Sequence, residues 1–305
     1  MIKYLKHSQI NKSKWDECIY NSFNKNIYAN SWFLDIVNND WEALVEDDYK
    51  TVMPLTCNKK YGINYLYQPF FTQQLGIYST KKDLSKTKVS EFLSAIPSQY
   101  RFIEINLNID NSLSDKNYEI KPGITHLLNL NKPYEEIYKG YSDNLKRNIN
   151  KANKSGLKIE KDINIDDLIR LFRENKGKEI DNFKDKDYVL FKKLCNAIKQ
   201  NATLNNIGVV NKDGTLLAAA IFPEYLNQTL FLFSGLSDEG KEFGAMPFLI
   251  NSFIKDHSDM EMILDFEGSL NPNLARFYKS FGSDEKTYPK IKRNLLPKPI
   301  KWLKK

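Results

Sequence analysis

Two acidic residues near the end of a predicted strand could carry proton chemistry. Asp265 and Glu267 lie two positions apart in the segment Glu261 to Glu267, which the sequence predicts to be a strand. Alternate residues of a strand share a face, so the two carboxylates are expected on one face, roughly 7 Å apart. Such a pair could act as a general base or bind the amine of a substrate. The structural alternative is that Asp265 caps or pairs with a nearby lysine, while Glu267 is at a solvated strand end.

A glycine-containing loop before a helix could bind an anion. The loop ends at Gly244, and a helix is predicted to begin around Ala245. Free N–H groups at a helix start, here from Gly244, Ala245 and Met246, can bind a phosphate or another anion. Lys241 would add positive charge. Glycine spacing alone is weak evidence, so a loop without a ligand is an equal alternative.

A predicted helix from Ser142 to Ser155 carries a basic stripe. Arg147, Lys151 and Lys154 follow a spacing of i, i+4 and i+7, and no acidic residue on the stripe could pair with them. The stripe could contact the phosphates of a tRNA, of CoA or of a nucleotide-linked acceptor. The alternative is a basic face that only meets water.

One loop in the first half is rich in aromatic residues and glutamines. Tyr67, Gln68, Gln73 and Gln74 could line an acceptor cleft, where aromatic walls and a few polar groups are expected. The alternative is a packed loop whose glutamines satisfy backbone groups.

The elements that position the acidic pair and the glycine loop follow in one stretch. Alternating β-branched and aromatic residues predict a strand over 229–234, and the wide apolar face of the next helix predicts a largely buried one. After the strand of the acidic pair, Asn271 and a following proline signal a second helix, and Gly282 suits its end. A ligand of such a unit binds beyond the carboxyl ends of the strands.

The end of this stretch resembles a known family. The segment NPNLARFYKSFG is similar to the end of a GNAT acyltransferase domain, and the preceding DFEGSLNP resembles more narrowly the Fem/BioF2-like branch. That branch contains tandem GNAT domains, including peptidoglycan-bridge peptidyltransferases that use aminoacyl-tRNA. Within this resemblance, Tyr278 matches a tyrosine that can protonate a leaving thiolate. A packed tyrosine with a satisfied hydroxyl is the alternative.

The resemblance implies an N-acyltransferase that moves an acyl or aminoacyl group to an amine by direct attack in an inter-domain cleft. The loop EGKEFGA differs from the usual Arg/Gln-x-x-Gly-x-Gly/Ala pyrophosphate loop, with Lys241 near the Arg/Gln position. The donor therefore stays open between acyl-CoA, aminoacyl-tRNA and a carrier-protein thioester, and no permanently bound cofactor is expected. The alternative is a degenerate, non-catalytic GNAT module that binds RNA or a cell-envelope precursor.

The composition of the chain narrows the classes of protein and of partner to consider. The chain has 305 residues and a net charge of +7, which is compatible with an anionic partner. It contains no apolar run of about 18 residues and no signal-peptide pattern, so we expect a cytoplasmic protein. Three widely spaced cysteines and three scattered histidines predict neither disulfides nor a metal site.

The sequence predicts an α/β (α+β) fold of two tandem GNAT-like domains, each a mixed sheet flanked by helices. Residues 1–135 form the predicted acceptor domain and residues 136–305 the predicted donor domain. The segments 43–56 and 208–221 share an apolar pattern, which supports two copies of one unit.

The C-terminal segment is basic and contains Trp302 and Leu303. Such a segment could contact an anionic membrane surface, but Pro297 and Pro299 would break an amphipathic helix. A tail packed on the domain with solvated lysines is the preferred interpretation.

Overall fold

The computed structural model describes residues 1–82, 84–179, 183–268 and 271–297. The chain forms two compact units: unit 1 comprises residues 1–123 and the described residues from 287 onwards, and unit 2 comprises residues 124–286. The boundary near residue 135 stays a prediction, and the last described strand returns to a sheet of unit 1. The remainder of the predicted tail, with Pro299, Trp302 and Leu303, lies outside the described residues.

The described residues of unit 1 form two sheets and three α-helices. Its elements are β1 (Ile2–Leu5), α1 (Lys12–Asn21), α2 (Ser31–Val37), β2 (Glu42–Glu46), β3 (Thr51–Leu55), β4 (Cys57–Lys60), β5 (Ile63–Tyr67), β6 (Tyr78–Ser79), α3 (Lys86–Ser94) and β7 (Tyr100–Asn106). One sheet has the strand order β1-β2-β3-β6, and the other contains β4, β5 and β7 in that order. Trp15 and Trp41 are fully buried, with ring centroids 4.7 Å apart.

Unit 2 is a mixed sheet flanked by helices. Strand β8 (Glu119–Asn129) leads into it, followed by α4 (Tyr134–Lys139), α5 (Asp143–Lys154), β9 (Lys158–Lys161), α6 (Ile165–Glu174), α7 (Asp185–Asn201), β10 (Thr203–Val210), β11 (Leu216–Tyr225), β12 (Gln228–Leu230), β13 (Phe233–Leu236), α8 (Asp238–Phe243), α9 (Ala245–Asp256), β14 (Ile263–Asp265) and α10 (Pro272–Lys279). Strand β15 (Asp284–Asn294) leads back to unit 1, where it pairs antiparallel with β7.

The sheet of unit 2 opens beside β13. Its strand order is β8-β14-β12-β11-β10-β9, and β12 and β14 are parallel, with Leu230 opposite Asp265. The N–H of Phe231 still donates to the carbonyl oxygen of Asp265, at 2.8 Å. Beyond that bond, β13 pairs only with β11 among the described strands. The strand predicted over 229–234 is therefore broken into two, and one edge of β13 is left open.

The helices that follow this opening agree with the sequence pattern in part. The predicted start of α9 at Ala245 is confirmed, and most of the helix is buried, with Phe253 stacked on Phe222 at 4.0 Å. The loop expected before it is instead the short helix α8, because Ser237 accepts a hydrogen bond from the N–H of Gly240 and caps it. Helix α10 begins as predicted, with the side chain of Asn271 as its cap.

Neither a membrane-spanning helix nor a metal-binding cluster is found among the residues of the described ranges. No helix there has both the length and the hydropathy of a membrane span. Likewise, no group of three or more His, Cys, Asp or Glu side chains in those ranges is placed to hold a metal ion.

Candidate active site

A pocket of about 740 Å³ lies at the open edge of β13 in unit 2. Its walls come from the break between β12 and β13, from the starts of α8 and α9, from the turn after β14, and from α10. Helix α5 reaches it through Asn148, and α6 through Phe172. The opening in the sheet thus brings the predicted anion-binding loop and the turn after β14 to one cavity.

The start of α9 presents unpaired N–H groups. The N–H of Gly244 caps α8 by donating to the carbonyl oxygens of Gly240 and Lys241, so it is not free for a ligand. The N–H groups of Ala245 and Met246 have no hydrogen-bond acceptor among the described residues, because the first intrahelical donor of α9 is Phe248. Both residues are buried, and an unpaired buried N–H is costly unless a ligand or water accepts from it.

The close approach of α5 to this start depends on Gly244. The glycine has a left-handed φ of 73°, and a Cβ at its position would lie 2.7 Å from the carbonyl oxygen of Asn148. The ammonium group of Lys241 pairs with the carboxylate of Asp238 at 2.7 Å, and its side chain is 59% exposed. Lys241 therefore contributes less free charge to the site than the sequence suggested.

The basic stripe of α5 runs beside the same end of the pocket. Arg147, Lys151 and Lys154 are exposed, whereas Leu145 and Ile149 on the opposite side are buried. The ammonium group of Lys151 lies 5.6 Å from the ring centroid of Phe243, the last residue of α8. Within the described part of the chain, neither Arg147 nor Lys151 pairs with a carboxylate, so their charge is available to an anion.

The acidic pair does not share the pocket, which corrects the expectation that both carboxylates lie on one face. Glu267 lines the pocket, and Asp265 is not among its lining residues. Strand β14 ends at Asp265, and Glu267 follows in a left-handed turn with φ of 54°. This turn breaks the alternation of side chains, and it packs so closely on β8 that a Cβ at Gly268 would collide with the carbonyl oxygen of Ile124.

Asp265 is held by two donors on one oxygen. The hydroxyl of Thr125 and the N–H of Glu267, the latter at 2.8 Å, both donate to Asp265 Oδ1. No described group donates to Oδ2. Burial raises the pKa of this carboxyl to about 6, although the two hydrogen bonds act in the opposite direction. A carboxyl with this pKa can take and release a proton near neutral pH.

Tyr278 lines the pocket from α10. Its ring stacks on Phe266 at 5.1 Å and lies 5.8 Å from the ring of His126. Its hydroxyl has no hydrogen-bond partner among the described residues. Burial, with the negative charges of Glu267 and Asp265, raises the pKa of Tyr278 well above its usual value, so the hydroxyl stays protonated and can donate.

The aromatic and glutamine loop belongs to unit 1, and its side chains mostly bond to the backbone. Gln68 donates to the carbonyl oxygen of Thr72 and accepts from the N–H of Asn106, at 2.7 and 2.9 Å. Gln74 donates to the side chain of Gln73 and accepts from a backbone N–H. The hydroxyl of Tyr67 accepts from Asn38 at 3.1 Å. These bonds fit the packed-loop alternative, and the acceptor cleft stays a prediction.

Comparison with solved structures identifies the fold. FemX shares 14% sequence identity over 99% of both chains, with a TM-score of 0.67. The chain has a Fem-like fold. L-PGS from Bacillus licheniformis matches with 13% identity over 95% of this chain and 94% of that chain, at a TM-score of 0.54. The C-terminal domain of a putative lysylphosphatidylglycerol synthetase from Agrobacterium fabrum matches with 10% identity over 93% of both chains, at a TM-score of 0.53.

The predicted α/β fold of mixed sheets flanked by helices, similar to that of FemX, is thereby confirmed. No family model matches the sequence, and no curated protein matches it. The identities to solved structures are so low that the likeness concerns the Fem-like fold alone.

Two residues near the pocket carry no signal in the sequence. Thr125 orients Asp265 from β8, 140 positions earlier in the chain. His126 is fully buried behind Tyr278, and neither ring nitrogen has a hydrogen-bond partner among the described residues. Burial lowers the pKa of His126, although the Glu285 carboxylate 3.8 Å away opposes this shift. Both residues lie far earlier in the chain than the strand and helix that they contact, so the sequence alone does not link them to the pocket.

Proposed function

We propose that this chain is an N-acyltransferase that moves an acyl or aminoacyl group from an activated donor to an amine. The observation that carries the proposal is the pocket in the open sheet. Its lining includes Met246 at the start of α9, the protonated tyrosine Tyr278 and the carboxylate of Glu267. The Fem-like fold supports the aminoacyl version, because one protein of this fold is named as a putative lysylphosphatidylglycerol synthetase.

The donor would bind with its anionic part at the start of α9. The N–H groups of Ala245 and Met246 would donate hydrogen bonds to a phosphate oxygen there, with help from the helix dipole. Arg147 and Lys151 would hold further phosphates of a polyanionic carrier. Aminoacyl-tRNA and acyl-CoA both meet this description as co-substrates, and both place the reaction in the cytoplasm. A carrier-protein thioester remains the third donor type.

The chemistry would be a direct displacement. The acceptor amine attacks the donor carbonyl, a C–N bond forms, and the C–O or C–S bond to the carrier breaks. Proximity of the two reactants supplies much of the rate. The amine proton would pass to Asp265 or Glu267, and the Tyr278 hydroxyl would give a proton to the leaving oxygen or sulfur. An amine that approaches from the Asp265 side would not have to share the pocket with the donor.

A covalent acyl-enzyme is disfavoured by the three cysteines. Burial raises the pKa of the Cys18 thiol to about 11 and that of the Cys195 thiol to about 12. Burial also raises the pKa of Cys57. A thiol that stays protonated at neutral pH is a poor nucleophile, and none of the three lines the pocket.

A donor panel tests the proposal. Unfolding temperatures are measured with acetyl-CoA, a long-chain acyl-CoA, aminoacyl-tRNA and uncharged tRNA. A ligand that binds only the native state adds about 2.7 kcal/mol of stability at 100 times its dissociation constant. A shift that depends on the acyl or aminoacyl group supports a transferase, and the double variant R147E/K151E should abolish it. Equal shifts with charged and uncharged tRNA would instead indicate an RNA-binding module.

Transfer itself is then assayed with the donor that shifts the melting curve. The Fem resemblance of the sequence makes an amine of a peptidoglycan precursor the first acceptor to try. Product should form with the wild type and fall at least about tenfold in Asp265→Asn or Glu267→Gln, with donor binding retained. If neither substitution changes the rate, the assignment of the acidic residues is wrong.

A further inference from the structure

The inner part of the pocket is built almost entirely from large apolar side chains. Phe231, Leu232 and Phe233 form its wall where β12 gives way to β13, and each is more than 90% buried. Phe266 and Phe277 complete it from the side of α10. Glu267 is the one carboxylate among the described lining residues, and Lys176 and Lys241 are the two cations there.

The wall draws on both faces of the sheet. Phe231 packs toward α10, with ring centroids 6.3 Å from Tyr278 and 6.3 Å from Phe266. Phe233 packs in the other direction, 4.6 Å from Phe172 of α6. Residues two positions apart on a continuous strand share a face, so the break between β12 and β13 is what lets Phe231 and Phe233 pack in different directions. A ligand group that enters the opening therefore meets aromatic rings on both sides.

We infer that the acyl group taken by this pocket carries a bulky apolar side chain, of the size of a leucyl or phenylalanyl group. The inference rests on the proposed function and names its substrate class. A cavity of about 740 Å³ has room for such a side chain beside the acyl carbonyl and the end of the carrier. A charged or polar side chain between Phe231 and Phe233 would lose its hydration against these rings. An apolar side chain there replaces water against Phe231, Leu232 and Phe233.

Amino-acid amides test the inference without any carrier or acceptor. Glycinamide, alaninamide, leucinamide, phenylalaninamide and lysinamide reproduce the acyl part alone, and their binding to the full chain is measured by calorimetry or NMR. Phenylalaninamide and leucinamide should bind in the millimolar range, as expected for ligands of this size. Alaninamide and glycinamide should bind at least about tenfold more weakly, because side-chain groups removed from an apolar pocket cost at least that factor.

A filling substitution shows where the side chain sits. Ser234 lines the pocket next to Phe233, and its hydroxyl has no hydrogen-bond partner among the described residues. Ser234→Leu should weaken phenylalaninamide at least about tenfold and leave alaninamide unchanged. The matched control is Ser252→Leu on α9, a half-buried serine outside the pocket. It should bind the whole series as the wild type does.

Several outcomes would overturn the inference. These are equal binding across the series, tightest binding of lysinamide or alaninamide, no binding of phenylalaninamide at tens of millimolar, or no effect of Ser234→Leu. The proposed transfer reaction is tested separately, by measuring product formation. If the amides bind in the expected order and no donor is ever turned over, the apolar pocket stands and the transferase proposal falls.

Discussion

Replacing Gly244 by alanine tests whether the junction of α5, α8 and α9 is set by a close backbone approach. The residue has φ of 73°, so alanine pays about 1–2 kcal/mol for the left-handed conformation alone. Its Cβ would also lie 2.7 Å from the carbonyl oxygen of Asn148, which is backbone and cannot rotate away. Overpacking of this kind adds about 1–3 kcal/mol. We expect Gly244→Ala to destabilise the protein by about 2–5 kcal/mol, the sum of these two costs.

Gly214 provides a matched control in the same unit. It lies in the turn between β10 and β11 with φ of 81°, and a Cβ there would meet no heavy atom within 4 Å. Gly214→Ala should therefore show the conformational cost alone, about 1–2 kcal/mol. The difference between the two variants in chemical denaturation isolates the contact with Asn148.

The two variants should also differ in ligand binding. Gly244→Ala displaces α5 from the start of α9, so the affinity for whichever anionic donor binds should fall at least about tenfold, whereas Gly214→Ala should retain it. Binding is measured by the shift in unfolding temperature relative to each variant's own ligand-free value. Equal losses of stability, or unchanged donor affinity in Gly244→Ala, would refute the assignment of this junction to the donor site.

Three further predictions concern the pocket and its rim. Tyr278→Phe removes a hydroxyl with no described partner, so unfolding free energy should change by less than about 1 kcal/mol while turnover falls about 100-fold; a large loss of stability would indicate a structural hydroxyl. Asp265 has a folded-state pKa of about 6, above its unfolded value, so the stability it contributes is present at acidic pH and lost as pH rises through 6. Asp265→Asn should then stabilise the protein at pH 7 by up to about 3 kcal/mol, which denaturation curves measure. It should also abolish the wild-type loss of activity below pH 6. An unchanged pH–rate profile would exclude Asp265 as the base. Arg147→Glu with Lys151→Glu should weaken an anionic donor and flatten the dependence of its affinity on salt, and binding that stays the same across salt concentrations would show that the stripe only meets water.

Local signals in the sequence predicted the helices of unit 2 well. Asn271 and the following proline mark the start of α10, and α5 begins directly after Ser142, where the helix was predicted to start. The apolar spacing of α9 predicted a buried helix because burial repeats with the helical period. These features depend on residues within a few positions of one another.

The pocket depends on contacts that are distant in sequence, and the prediction was less complete there. The strand over 229–234 breaks because its parallel partner ends at Asp265, which no local pattern reveals. The turn at Glu267 separates the two acidic side chains because it packs on β8. The prediction of a shared face assumed that strand alternation continues to Glu267, but β14 ends at Asp265. His126 and Thr125 were missed for the same reason.

The path of the chain has a consequence for its synthesis. Strand β15 is the last described element to leave a ribosome, yet it pairs along β7, which is made some 180 residues earlier. Until Lys290 to Asn294 emerge, β7 has one edge without its antiparallel neighbour, and an open strand edge is a site for pairing with other chains. Unit 2 is a continuous segment and can fold meanwhile. Premature termination before Lys290 would therefore leave this edge of β7 open in unit 1, and the shortened chain should aggregate rather than fold into a working half of the protein.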